Sequence, residues 1–290
     1  MMSVTDILKK VRELEIKSRK LSNHLFKGEY HSAFKGRGMS FKEVREYEAG
    51  DDIRFIDWNV SARLSHPYSK VFEEERELTV LLLVDVSSSA LFGTTYQRKK
   101  DLITEVCAVI TLAAIHNNDK VGVIFFSDKV EKFIPARKGR QHALYIVREL
   151  LTSSPKDKGT RISEAIRYLN NSCKQKSIAF LLSDFLDDSY EDALRVAARK
   201  HDLIGVKVYD KMDMVLPDVG LLEVEDAETG NRAYVNTSNS FVRKEYEAQF
   251  HRYNDFCKQV FVRAGADLLH MSTGEDYVKV LQKFFIHRNR

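Results

Sequence analysis

Apolar positions change their spacing at about residue 77. Beyond it, continuous apolar runs alternate with amphipathic stretches. Residues 78–86, 121–126, 177–185 and 203–209 are near-unbroken apolar runs of strand length, as expected for strands buried on both faces. Residues 97–117, 141–152, 161–172 and 190–201 carry helical spacing between them. Residues 130–136 alternate apolar and polar side chains and follow 121–126 through the short turn Ser127-Asp128-Lys129, which predicts a hairpin. The alternation predicts an α/β fold: a doubly wound, mostly parallel sheet flanked by helices, with one antiparallel edge strand. A β-hairpin near 220–237 turns around Glu228-Thr229-Gly230-Asn231. A long helix over 240–264, a short strand over 267–271 and a final helix over 275–287 make a small C-terminal addition.

Residues 1–75 read differently. An amphipathic charged helix is expected over 5–26. Residues 28–67 are polar, rich in Gly, Arg and Asp, and without a period. So long a structureless loop is unusual in a compact domain. We expect short strands or turns there, in an irregular segment packed on a main domain that spans 76–290.

Composition narrows the function classes. The chain has 290 residues, 43% hydrophobic and 30% charged, with 4 Pro and 13 Gly, which suits one large globular domain with an attachment rather than a disordered chain. The net charge of +4 is too weak to imply nucleic-acid binding without a localised patch. Cys107, Cys173 and Cys257 are scattered without metal-ligand spacing, which suits a reducing compartment. The first 20 residues lack an apolar core of signal-peptide length, and no apolar run reaches the length of a membrane span. A cytoplasmic location is expected. The nine histidines show no ligand spacing, and no GxxxxGK[ST] phosphate loop is present.

The run 78–86 continues into Asp85-Val86-Ser87-Ser88-Ser89, which puts a carboxylate and two hydroxyls on one turn. Taken singly, such serines are turn or cap residues. Asp184 ends the run 177–185, and Thr160 follows Gly159 in the N-cap region of the next helix. In an open parallel sheet, ligands bind beyond the carboxyl ends of the strands. Asp85, Ser87, Ser89, Thr160 and Asp184 therefore form a candidate site of five oxygen groups. Such a set suits a hard dication, Mg²⁺ or Mn²⁺, and leaves a coordination position open.

This pattern of Asp-x-Ser-x-Ser, then Thr, then Asp resembles the metal-ion-dependent adhesion site of the von Willebrand factor A fold, without departure at the five positions. The resemblance implies that Ser87, Ser89 and Thr160 contact the metal and that Asp85 and Asp184 act through bound water. It also implies that a partner protein's acidic residue supplies the last ligand. A second resemblance rests on Gly36-Arg37-Gly38-Met39-Ser40, Arg45-Glu46-Tyr47, Gly50-Asp51-Asp52-Ile53-Arg54, Asp57-Trp58, Ser61-Ala62-Arg63, Pro135-Ala136-Arg137-Lys138-Gly139 and Leu216-Pro217-Asp218-Val219-Gly220. These are similar to the signature of a bacterial family known as domain of unknown function 58. Its members carry a von Willebrand factor A-like domain and are associated with MoxR-type AAA+ ATPases, which implies an adaptor or chaperone-like role.

Within 50–63, opposite charges crowd around the only tryptophan. Arg–carboxylate pairs pinning this segment are the structural expectation. A docking surface formed by Arg54, Asp57, Trp58 and Arg63 is the functional one. The leading expectation is a Mg²⁺-dependent protein-interaction module without catalysis. A metal-dependent hydrolase or phosphatase is the alternative, although Ser87 stands where an Asp-nucleophile phosphatase would want a second carboxylate. A nucleic-acid binder is a second alternative, favoured only by mild basicity.

Overall fold

The computed structural model describes residues 13–18, 39–74, 78–94, 97–153, 159–226 and 230–288, with backbone alone at 39–42 and 72–74. The chain divides into two compact units, Gly28–Glu77 and Met1–Lys27 with Leu78–Arg290.

The larger unit is built on a six-stranded sheet. In chain order the strands are β3 (Thr79–Asp85), β4 (Lys120–Phe126), β5 (Val130–Arg137), β6 (Ile178–Ser183), β7 (Asp202–Tyr209) and β10 (Asp267–Ser272), arranged β10-β7-β6-β3-β4-β5. All neighbours are parallel except β4 and β5. This is the doubly wound sheet with an antiparallel edge that the hydrophobic pattern predicts. The central strands are buried almost end to end, whereas β5 is buried mainly at Ile134 and carries Pro135. An edge strand tolerates a proline because one side of its backbone needs no ladder partner.

Helices α2 (Lys99–His116), α3 (Arg140–Thr152), α4 (Ile162–Ser172), α5 (Glu191–Lys200), α7 (Ser240–Ala264) and α8 (Tyr277–Arg288) connect or flank these strands, and α6 (Lys211–Met214) is a single turn. α2 is buried along nearly its whole length, consistent with its all-round apolar composition. Helical residues 13–18 join this unit by burying Leu14 and through Arg140–Glu15 (2.8 Å) and Lys17 Nζ to Tyr277 Oη (3.1 Å). A separate antiparallel pair, β8 (Leu221–Glu225) and β9 (Arg232–Asn236), forms the hairpin read from the sequence. The turn residues 228–229, most of the helix expected over 5–26, and Gly36-Arg37-Gly38 lie outside the described residues.

The smaller unit is more regular than its composition suggests. It contains β1 (Met39–Glu46) paired antiparallel with β2 (Tyr68–Glu74), and α1 (Trp58–Leu64). A register shift between Phe41 and Glu43 breaks the alternation of β1, and none of α1 is buried. Neither element therefore displays the apolar period by which a sequence reveals it.

His201, at the end of α5, is buried and hydrogen-bonded through Nδ1 to Ser177 Oγ (2.8 Å), while Nε2 has no hydrogen-bond partner. Burial, and then the nearby Lys200, lowers its pKa to about 4. The unfolded chain, near 6.5, binds a proton that the folded chain refuses. The resulting stability is complete above pH 6.5 and is lost as pH falls toward 4, at most by about 1.4 kcal/mol per pH unit. Urea unfolding at pH 7 and pH 5 should show this fall, and His201→Gln should flatten it. An equally steep profile in the variant would refute the assignment.

Candidate metal centre

β3 lies at the point where the chain first turns to one side, to β4, and later to the other, to β6. Such a switch point opens a crevice beyond the strand ends. Asp85 ends β3 and Asp184 immediately follows β6, so both carboxylates stand at that crevice. Both are buried. Asp85 Oδ1 accepts from the Ser87 amide (2.9 Å) and Oδ2 from Ser183 Oγ (2.5 Å). Burial, then the charge of Asp184, holds the Asp85 carboxyl above the usual carboxylate range.

The serines are not spent on capping. Ser87 precedes the 3₁₀ turn Ser88–Leu91 but makes no side-chain cap bond. Its Oγ instead lies 3.0 Å from Ser89 Oγ, so two hydroxyl oxygens sit side by side. Thr160 lies in the loop just before α4, in the N-cap region but not at the N-cap itself. α4 begins at Ile162 with Arg161 as N-cap, and the first amide is bound by Asp187 Oδ2 (2.8 Å) rather than by Thr160. The Thr160 hydroxyl is buried and has no hydrogen-bond partner among the described residues. Its neighbours are tied to the same sheet edge: the Arg161 amide to the Ser127 carbonyl beyond β4, and Ile162 to Asp187 beyond β6.

Asp184 Oδ1 is the other orphan. Its Oδ2 accepts from Lys99 Nζ (3.0 Å), which also lies 3.3 Å from Asp213 Oδ2. Lys99 is only 2% exposed. Burial works against its charge, but the two carboxylates outweigh this and raise its pKa. Sequence reasoning missed Lys99, Asp213 and Ser183. Lys99 belongs to the run Arg98-Lys99-Lys100 at a helix start, which reads as a solvated face. Ser183 could have been found, as a hydroxyl in an otherwise apolar strand next to Asp184.

The backbone after Asp184 is strained. Phe185 adopts φ +55° although its side chain is fully buried. Its ring packs against Phe261 (5.5 Å, 81°) and Tyr190 (5.7 Å), and its amide donates to Ser183 Oγ (3.1 Å). Bulky residues rarely adopt this conformation, and such outliers cluster at functional sites.

A donor set of two carboxylates and three hydroxyls fits a dication that prefers oxygen. Two of its oxygens, on Thr160 and Asp184, are buried without a hydrogen-bond partner among the described residues. Among the described residues no group of three or more His, Cys, Asp or Glu is placed to hold a metal.

The candidate docking residues of the smaller unit are distributed differently. Asp57 caps α1 through the amides of Asn59 (3.0 Å) and Val60 (3.2 Å) and pairs with Lys70 (3.3 Å). Arg54 pairs with its near neighbour Asp52 (2.6 Å), a local contact. Arg63 is exposed, and Trp58 is 71% exposed beside Ile53 at 68% and Leu64 at 53%. Asp51, next to Asp52 in the chain, binds Arg45 (2.7 Å).

Residues 43–255 match the family described as "Protein of unknown function DUF58". The chain is 29% identical over 283 residues to the uncharacterized protein Rv1480 of Mycobacterium tuberculosis, covering 97% of this chain and 89% of that protein. Among solved structures it is similar to the conserved hypothetical protein BatB of Bacteroides thetaiotaomicron (16% identity, 73% of this chain and 98% of that chain, TM-score 0.48). It is also similar to the SpRpn10 VWA domain (10% identity, 73% and 95%, TM-score 0.40). Overlaps of this size do not bear on function.

Proposed function

The chain belongs to the DUF58 family, and from that premise and the geometry above we propose that it is a protein-interaction module that grips a partner's carboxylate through a metal-ion-dependent adhesion site. The observation that carries the reading is the pair of buried oxygens without a hydrogen-bond partner among the described residues, Thr160 Oγ1 and Asp184 Oδ1, together with the adjacent hydroxyls of Ser87 and Ser89. Ser87, Ser89, Thr160, Asp85 and Asp184 would hold Mg²⁺ or Mn²⁺. The bound cation supplies an electrophilic position for an outside oxygen ligand. The Ser183 hydroxyl and the Ser87 amide fix the Asp85 carboxylate, and Lys99 fixes Oδ2 of Asp184 and leaves Oδ1 without a hydrogen-bond partner. The reading assigns no catalytic step to these residues. The partner that the family resemblance implies is a MoxR-type AAA+ ATPase. The three cysteines are unpaired and two are buried, which supports a cytoplasmic setting. Among the described residues, no helix is long and apolar enough to cross a membrane.

Thr160→Val tests this directly. The hydroxyl has no partner to lose, so urea unfolding without added metal should match the parent within about 0.5 kcal/mol. Calorimetric titration with Mg²⁺ or Mn²⁺ should show one site in the parent and at least a roughly tenfold weaker one in the variant, about 1.4 kcal/mol. Capture of an AAA+ partner should require the cation and fail in chelator. Unchanged affinity in Thr160→Val would overturn the site assignment.

A further inference from the structure

A cavity of about 560 Å³ opens beside the centre, and Ser89 and Asp184 form part of its wall. The rest of its lining is unusual in two respects. Five aromatic side chains face it: Phe92, Tyr209, Tyr246, Phe250 and Tyr253. Three carboxylates line it as well, Asp184, Asp213 and Asp226, against one lysine, Lys99, which already lies between the first two. The rings come largely from one face of α7, where Tyr246, Phe250 and Tyr253 follow at helical spacing. Tyr246 is held by its hydroxyl bond to the Met212 carbonyl (2.9 Å), so this wall is fixed rather than improvised.

Charge decides what such a cavity accepts. Among the lining groups, the carboxylates Asp184, Asp213 and Asp226 outnumber the one lysine, Lys99, so the wall itself carries negative charge. A second acidic side chain is repelled, and an apolar one leaves that charge unbalanced. A cation held among aromatic faces and carboxylates satisfies both features of the wall. A planar guanidinium does so better than an ammonium, because it stacks on rings and bonds carboxylates in a fork.

We propose that this cavity takes an arginine side chain of the same partner segment whose acidic residue reaches the metal, so that the module recognises an acid and an arginine close together in one chain. This rests on the adhesion-site reading for the acid but not for the arginine. The probes are fluorescein-labelled peptides carrying one Asp and one Arg, separated by one to three residues in either order. Their counterparts carry Leu or Lys for Arg, or Asn for Asp. Anisotropy in excess Mg²⁺ should show the best Arg peptide binding about tenfold tighter than its Leu counterpart, with Lys between them. The gain should shrink in both Asp226→Asn and Tyr253→Leu, two half-exposed or exposed positions whose replacement leaves the core intact. It should persist for Arg over Leu in chelator, where the acid contributes nothing. Leu peptides binding as tightly as Arg peptides, or an Arg gain untouched in both variants, would overturn the proposal. Chelator-insensitive binding of the acidic residue, with the Arg gain intact, would instead count against the metal.

Discussion

Asp184→Ala is expected to lower the unfolding free energy by about 3 kcal/mol and to remove cation binding in the same variant. The stability loss comes from Lys99. Its ammonium is 2% exposed and bonded to Asp184 at 3.0 Å. Removing one member of a buried pair leaves a charge in a dry place, which costs about 3–5 kcal/mol. Asp213 at 3.3 Å remains, which places the effect at the lower end. The double variant Lys99→Met, Asp184→Leu should recover part of the loss, since replacing both charges by packed apolar groups is often near neutral. Urea unfolding of the parent, two singles and the double checks this as a thermodynamic cycle. A single variant as stable as the parent would show that Lys99 does not depend on Asp184. Thr160→Val provides the contrast, a proposed ligand whose loss is expected to be silent in the fold.

Gly122→Ala is expected to be strongly damaging for a change of a single methyl group. β5 bulges opposite Gly122: Val121 pairs with Arg137 but Val123 with Ile134. A Cβ at 122 would lie 2.8 Å from both the Ala136 amide nitrogen and the Ile134 carbonyl oxygen, and 2.9 Å from Leu81 Cδ2. Two of the three obstacles are backbone, which cannot rotate aside as a side chain can. We expect a loss of about 3 kcal/mol, at the upper end for overpacking, and a fall in Tm of roughly 6–12 °C. Gly205→Ala meets the Phe261 ring at 2.4 Å, a side chain that can yield by moving α7. Thermal unfolding followed by far-UV circular dichroism should rank the two variants in that order. An unchanged Tm for Gly122→Ala would mean that the bulge relaxes.

Much of the sheet is legible in the sequence because its central strands are buried on both faces. Residues 78–86 and 177–185 declare themselves by unbroken apolar character, and β5 by alternation beside a short turn. The oxygen donors are legible for a related reason: Asp85, Ser87 and Asp184 interrupt apolar runs at their ends, where a polar residue needs an explanation. β1 and α1 are not legible, because a register shift breaks the period of β1 and α1 buries none of its residues. Lys99 is hidden for a different reason. Its burial depends on Asp184 and Asp213, which lie 85 and 114 positions away along the chain, and no local pattern distinguishes a buried lysine from its solvated neighbours. The aromatic wall of α7 reads as an ordinary amphipathic stripe until β3 and β6 show what stands opposite.

The hydrogen bond between Ser183 and Asp85 joins positions 98 apart in the sequence, and Thr160 comes from a third segment between them. No partly folded chain holding only one of these strands can assemble the donors, so the centre exists only once β6 has docked on β3. A cation that binds the finished sheet alone stabilises it by mass action, about 2.7 kcal/mol at a hundred times its dissociation constant. Free Mg²⁺ would then set how long the protein survives proteolysis, as well as what it can hold. Depleting the ion would shorten its lifetime even with no partner present.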